Sequence, residues 1–211
     1  MEPETFTYRD LKSIFRIDEK VARQTIFNAE ERQEIPRATR VQRGQTSVRK
    51  WTVDQLPAIG QRFGFLKPAK LQEIITLFTQ KGGTLKSTAS YTLARVLALN
   101  GIKTVVVGLD TQCSITNVAL PAPEASSLEE LKELRKLRGG LYHLLEQDGV
   151  DLSDVIMHTD LPTLDLIPET GHLGKLERVL DQAVGREQYF SKKLIPLLSE
   201  YEVVIFDNSP A

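Results

Sequence analysis

Four short runs of apolar residues mark the last two thirds of the chain: EIITLFT at 73–79, KTVVVGLD at 103–110, TLDLIPE at 163–169 and EVVIFD at 202–207. Each is too short for an ordinary helix and rich in β-branched or aromatic residues. Continuous runs of this kind fit strands buried on both faces of a parallel sheet. Between the first two lies a Gly-rich loop, then a helical pattern from Lys86 to Leu99 that Asn100-Gly101 stops. Residues 72–110 therefore read as a βαβ unit. A charged helix opened by the Ser127-x-x-Glu130 capping box follows, then LYHLLEQ, DLSDVIM and two helical stretches around 172–182 and 187–199. Strands alternating with helices predict an α/β domain, its sheet parallel and covered by helices on both faces.

The first part of the chain has a different rhythm. Thr7 and Asp10 form a capping-box pair before YRDLKSIF, and a second helix is expected from Asp18 through EKVARQTIFNAE. The segment IPRATRVQRGQTSVRKWT alternates on either side of Gly44, as a β-hairpin does. Thr52 and Gln55 open a further helix from Val53 to about Phe63, and Gly-Phe-Leu-Lys-Pro at 64–68 reads as a connector.

Charge separates the same two regions. Residues 1–70 carry 14 Lys and Arg against 9 Asp and Glu, and the remainder carries 13 against 19. A small basic unit suits a polyanion, whereas charge alone fits a solvated mixed surface equally well. The chain has one cysteine, Cys113, so it can form neither an internal disulfide nor a cysteine cluster of its own. His143, His158 and His172 lack metal-ligand spacing. No run approaches the roughly 18 to 20 apolar residues of a membrane span, and MEPETFTYRD has no signal-peptide layout, so a cytoplasmic protein without membrane attachment is expected.

Chemistry concentrates in KGGTLKST, Lys81 to Thr88, between the first strand and its helix. Glycines let backbone N–H groups turn around an anion, and the helix N-terminus adds its positive dipole end. Lys86 is placed to reach phosphates and Ser87 to offer a hydroxyl to Mg²⁺. The standard G-x-x-x-x-G-K-[ST] spacing would put glycine at 80 and 85, where this chain has Gln80 and Leu85. Asp207 ends the last apolar run, where a carboxylate can hold Mg²⁺ through water, and Asp110 ends the second, on the edge where open α/β sheets bind ligands.

With KGGTLKST, GLDTQCSIT and VVIFDNSPA in this order, residues 72–211 resemble the ParA/MinD group of deviant Walker ATPases, and within it the ParA partition proteins. The resemblance implies a P-loop NTPase sheet, ATP and Mg²⁺ as cofactors, and hydrolysis in a homodimer. It implies that Lys81 crosses to the partner's nucleotide, that Lys86 binds phosphate in its own subunit, and that Ser87 ligates Mg²⁺. Thr88 contacts the α-phosphate, Gly82, Gly83, Thr84 and Leu85 complete the nucleotide cradle, Asp110 positions the attacking water and Asp207 supports Mg²⁺. Leu85 replaces the usual glycine, and Thr111 and Cys113 replace the common proline and glycine of the second motif. Family members continue well past the aspartate of VVIFD, so the nucleotide domain is expected to be incomplete at its C-terminus.

Residues 5–66 resemble the winged helix-turn-helix of MerR-type regulators. That likeness implies a recognition helix with Lys20, Arg23, Gln24 and Thr25, and a wing with Arg37, Arg40, Arg43, Gln45, Ser47 and Arg49, both directed at DNA. Trp51 is expected to anchor the hairpin core. The expected organisation is thus a winged helix-turn-helix at 1–66, a linker at 67–71 and the nucleotide domain at 72–211. The function implied is ATP-dependent DNA partition with a ParB-type partner, at the nucleoid, with repression of its own operon. The alternative is a DNA-binding regulator whose P-loop only senses ATP. A MinD-like membrane ATPase is a third reading, which the basic first unit disfavours.

Overall fold

The computed structural model describes residues 4–18, 20–44, 46–78, 85–112, 114–119 and 139–209. The chain divides into two compact units: 1–68 with 96–102 and 160–163, and 69–95 with 103–159 and 164–211.

In the first unit a short strand β1 (Thr5–Phe6) leads to helix α1 (Tyr8–Ile14). Asp10 reaches back to accept from both the amide (2.7 Å) and the hydroxyl (2.8 Å) of Thr7, the N-terminal signal seen in the sequence. Helix α2 covers Arg23–Glu31, five residues later than expected. Asp18 explains the delay: its Oδ1 accepts from the Lys20 amide at 2.8 Å and its carbonyl from Val21 at 2.9 Å, so the carboxylate closes a turn instead of capping a helix. Strands β2 (Thr39–Arg43) and β3 (Thr46–Thr52) form the expected antiparallel hairpin, with Gly44 at φ 63° in its turn. Strand β1 adds to the other side of β3, giving the order β1-β3-β2. A 3₁₀ turn (Val53–Gln55) and helix α3 (Leu56–Phe63) follow. Leu11, Phe15, Ile26, Ile35, Trp51, Leu56 and Ile59 form the core, and the Trp51 indole N–H donates to the Pro36 carbonyl at 3.0 Å. The tryptophan is a core anchor, as expected.

In the second unit β4 (Glu73–Leu77), α4 (Lys86–Leu99), β5 (Thr104–Leu109) and α5 (Ser114–Ala119) occur in sequence. Helices α6 (Leu141–Glu146) and α7 (Leu152–Val155), strands β6 (Met157–His158) and β7 (Leu164–Ile167), and α8 (Leu173–Gln182) come next. The helical stretch expected at 187–199 is broken. It consists of a 3₁₀ turn (Arg186–Gln188), α9 (Tyr189–Lys193) and a second 3₁₀ turn (Ile195–Leu198), because Pro196 has no N–H to continue a helix. Strand β8 (Val203–Asn208) completes the sheet. The helix expected after Ser127 lies outside the described residues.

The sheet order is β4-β8-β5-β7-β6, parallel except for the antiparallel β6–β7 pair. Alternation divides its side chains. Val105, Val107, Ile167, Val204 and Phe206 pack with Leu141, Leu144, Leu173, Leu176, Tyr189 and Leu198 on one face. Val106, Ile205 and Asp207 point to the other, where α4 lies. Strands β5 and β8 are buried on both faces, as the sequence predicts. Strand β4 is not: among the described residues it pairs on one side only, and Ile74 is 51% exposed.

Candidate functional site

Sheet order brings the chemistry to one edge. In register, Asp207 of β8 stands between Leu77, the last residue of β4, and Gly108 of β5. The end of β4 and the end of β5, with Asp110 just beyond it, therefore flank Asp207 on its two sides. Asn208 adds a 3.4 Å contact from its side-chain amide to the Leu77 carbonyl, tying the ends of the two strands together.

Asp207 is fully buried. Its Oδ1 accepts from the Ser90 hydroxyl at 2.8 Å, whereas Oδ2 has no hydrogen-bond partner among the described residues. A buried carboxylate oxygen without a donor is costly. A hydrated cation would satisfy it, so the residues fit the Mg²⁺ that the sequence implies. Ser90 lies one helical turn after Lys86 and thus on the same face of α4. Both are buried, Lys86 at 8% exposure. The first turn of α4, with its lysine, is held beside Asp207 by that serine.

Leu85 precedes the helix with φ 57° in the left-handed region and is 72% exposed, while its carbonyl accepts from Ala89 at 2.8 Å. The backbone at position 85 thus has the conformation that glycine adopts without strain, and this chain places a leucine there. Ser87 is half-buried and Thr88 exposed. Lys81, Gly82, Gly83 and Thr84, and also Cys113, lie outside the described residues.

Asp110 is buried, and its Oδ1 accepts from the Gln112 amide at 3.0 Å. A residue the sequence did not single out stands behind it. Glu169, just past β7, is fully buried; Oε1 accepts from the Ile115 amide and Oε2 from the Thr116 amide, each at 3.1 Å. The Thr116 hydroxyl also donates to Oε2, and burial raises the Glu169 pKa above its ordinary value against these hydrogen bonds. Ser90 was legible as the position one turn beyond Lys86. Glu169 also ends an apolar run, TLDLIPE, but its partners are more than fifty residues away, so the run marks its place at the edge and not its role.

In the first unit Arg23, Gln24 and Thr25 occupy the exposed first turn of α2, with Lys20 exposed in the preceding turn. On the hairpin, Arg40 pairs with Arg49 and Gln42 with Ser47, placing these four on one face. Arg43 pairs with Thr46, and Gln45 lies outside the described residues. Arg37 and Arg40 are exposed, but Arg49 is engaged. It forms a 2.8 Å ion pair with the buried Glu30, and its guanidinium stacks 3.7 Å from the centre of the Phe27 ring. Arg23 covers the same ring at 4.9 Å. Arg49 thus joins the hairpin to α2, a packing role in addition to any contact outward.

Among the described residues no group of three or more His, Cys, Asp or Glu side chains could hold a metal by itself, and no helix is long and apolar enough to cross a membrane. Residues 72–211 match the AAA domain family. The sporulation initiation inhibitor protein Soj of Bacillus subtilis is 30% identical over 139 residues, 66% of this chain and 50% of Soj. Two solved structures are similar over about two thirds of the chain. A plasmid partition protein of Borrelia burgdorferi bound to AMPPNP is 29% identical with a TM-score of 0.52, over 67% of this chain and 55% of that one. Cobyrinic acid a,c-diamide synthase of Mycobacterium smegmatis, with a bound ATP analogue and magnesium, is 28% identical with a TM-score of 0.52, over 67% and 52%. The chain spans about half the length of the curated relatives it matches.

Proposed function

The chain belongs to the AAA domain family over residues 72–211, as a P-loop ATPase domain of the ParA/MinD type, and on that premise we propose that it is the ATPase of a DNA-partition system. The observation that carries the reading is buried Asp207, whose Oδ2 has no hydrogen-bond partner among the described residues, in register between the end of β4 and Gly108 of β5. Similarity to a partition protein bound to AMPPNP supports ATP as the nucleotide, and the synthase with its ATP analogue and magnesium supports Mg²⁺.

In this reading Lys86 binds the phosphates together with the N–H groups opening α4, and Gly82, Gly83, Thr84, Leu85 and Thr88 complete the cradle. Ser87 and Asp207 hold Mg²⁺, the latter through water, with Ser90 orienting the carboxylate. The ion, when bound, neutralises charge on the phosphates. Asp110 orients the attacking water. Lys81 supplies a second positive charge to the partner subunit's nucleotide in a homodimer. The exposed Lys20, Arg23, Gln24, Thr25, Arg37 and Arg40, with Arg43, Gln45, Ser47 and the engaged Arg49, give the first unit a DNA-binding role of the winged helix-turn-helix type. Action at the nucleoid in the cytoplasm, a ParB-type partner and repression of its own operon complete the proposal.

One observation favours a second reading, a regulator that senses ATP without turning it over: a leucine occupies the left-handed position before Lys86. Lys86→Ala separates the two. Loss of plasmid maintenance with operon repression intact supports partition. Normal segregation in that variant contradicts it.

A further inference from the structure

Glu169 meets three segments at once. Its carboxylate accepts from the amides of Ile115 and Thr116 and from the Thr116 hydroxyl at the start of α5, and its own amide lies 3.3 Å from that hydroxyl oxygen. On its other side it packs on Gly108: a Cβ at that position would lie 2.6 Å from the Glu169 carboxyl carbon and 2.7 Å from its Cγ. Glycine is needed at 108 to seat the glutamate. Gly108 and Ile115 bracket Asp110, so one buried side chain fixes the chain on both sides of that aspartate. Thr116 is itself fully buried, and this contact is closed to solvent.

A carboxylate is an expensive way to join three segments, because removing it from water costs more than packing an aliphatic side chain. What it adds is direction: three donors aimed at two oxygens permit one placement, where an apolar contact tolerates sliding. We propose that Glu169 is a positioning residue for Asp110, holding the turn after β5 and the start of α5 so that the Asp110 carboxylate is presented to the nucleotide edge in one orientation. The role is distinct from binding, since Glu169 contacts neither Lys86 nor Asp207 among its hydrogen bonds. It rests on the reading of the site as an ATPase, in which Asp110 orients the water, and displacement of such a group by a fraction of an ångström lowers turnover without changing affinity.

The test uses the full chain and has two arms. Glu169→Gln keeps the shape but cannot accept from all three donors. Hydrogen exchange of the 110–119 segment, measured without nucleotide, is expected to accelerate about tenfold at Ile115 and Thr116. With Mg²⁺ and ATP, affinity measured with a fluorescent ATP analogue should stay within about twofold of wild type, while single-turnover hydrolysis falls about tenfold. Thr116→Val should reproduce both effects, Thr116→Ser should retain wild-type behaviour, and Glu169→Gln combined with Thr116→Val should be no worse than either alone. Unchanged exchange overturns the proposal, as does wild-type turnover in a folded Glu169→Gln protein or a parallel loss of affinity and turnover. If the wild-type chain neither binds nor hydrolyses ATP, the ATPase reading fails, and the exchange arm still decides whether Glu169 fixes the segment.

Discussion

Asp207 and Glu169 are both fully buried carboxylates at the same edge of one sheet, at the ends of β8 and β7 with β5 between them, and the protein treats them in opposite ways. Glu169 has every oxygen engaged by Ile115 and Thr116. Asp207 has one oxygen held by Ser90 and the other without a hydrogen-bond partner among the described residues. A buried carboxylate oxygen with no donor is costly, and a water or an ion is one way to satisfy it. The contrast agrees with the proposed roles, in which Glu169 shapes the edge and Asp207 supports a cation.

The contrast breaks most visibly at Asp207. Asp207→Asn preserves an acceptor for Ser90 and removes the charge, so the fold should survive while Mg²⁺-dependent hydrolysis falls at least about 100-fold, a loss of roughly 3 kcal/mol in transition-state stabilisation. Phosphate release and circular dichroism measure the two quantities, and near wild-type turnover would mean that Asp207 holds no ion the reaction needs. Gly108→Ala tests the other side. The added methyl must displace Glu169, and overpacking of this kind should cost about 1–3 kcal/mol in a urea titration. Unaltered stability would mean that the glutamate is not seated as described.

A pH titration sharpens the comparison further. Burial makes the folded chain hold the Glu169 proton more tightly than the unfolded chain, for which the ordinary value is 4.5. Above that pH the folded state binds more protons, so this group's contribution to stability declines as pH rises from 4.5 through the raised folded value. Stability measured for wild type relative to Glu169→Gln should decline over that window. A flat difference would show that the hydrogen bonds from Ile115 and Thr116 fully offset the burial. The smallest effect is expected at the loop: Leu85→Gly removes a left-handed leucine, relieving about 1 kcal/mol, and should raise turnover severalfold if strain resists loop closure. Equal rates would assign Leu85 no part in catalysis.

What the sequence disclosed follows from how local each signal is. Asp110 and Asp207 were legible because each ends an apolar run, and the helix after the Gly-rich loop announced its own stop at Asn100-Gly101. Ser90 could have been found by counting one turn from Lys86. The start of α2 was misplaced because Asp18 offers a turn as readily as a cap, and Pro196 broke the last helical stretch where its periodicity continued. The exposure of Ile74 reflects the place of β4 in the sheet, which no window of sequence carries. Glu169 ends an apolar run as the two aspartates do, but its role was hidden for the same reason: its meaning lies in Gly108, Ile115 and Thr116, distant in the chain and adjacent only once β5 and β7 pair.

The central claim is that this edge binds ATP with Mg²⁺ through Lys86 and Asp207. Calorimetric titration of ATP into the full chain, with Mg²⁺ and with excess chelator, tests it directly when repeated on Lys86→Ala. The account predicts binding that weakens when Mg²⁺ is removed and that falls at least about 100-fold in the variant, roughly 2.7 kcal/mol. Equal affinity in wild type and Lys86→Ala, indifferent to Mg²⁺, would contradict it.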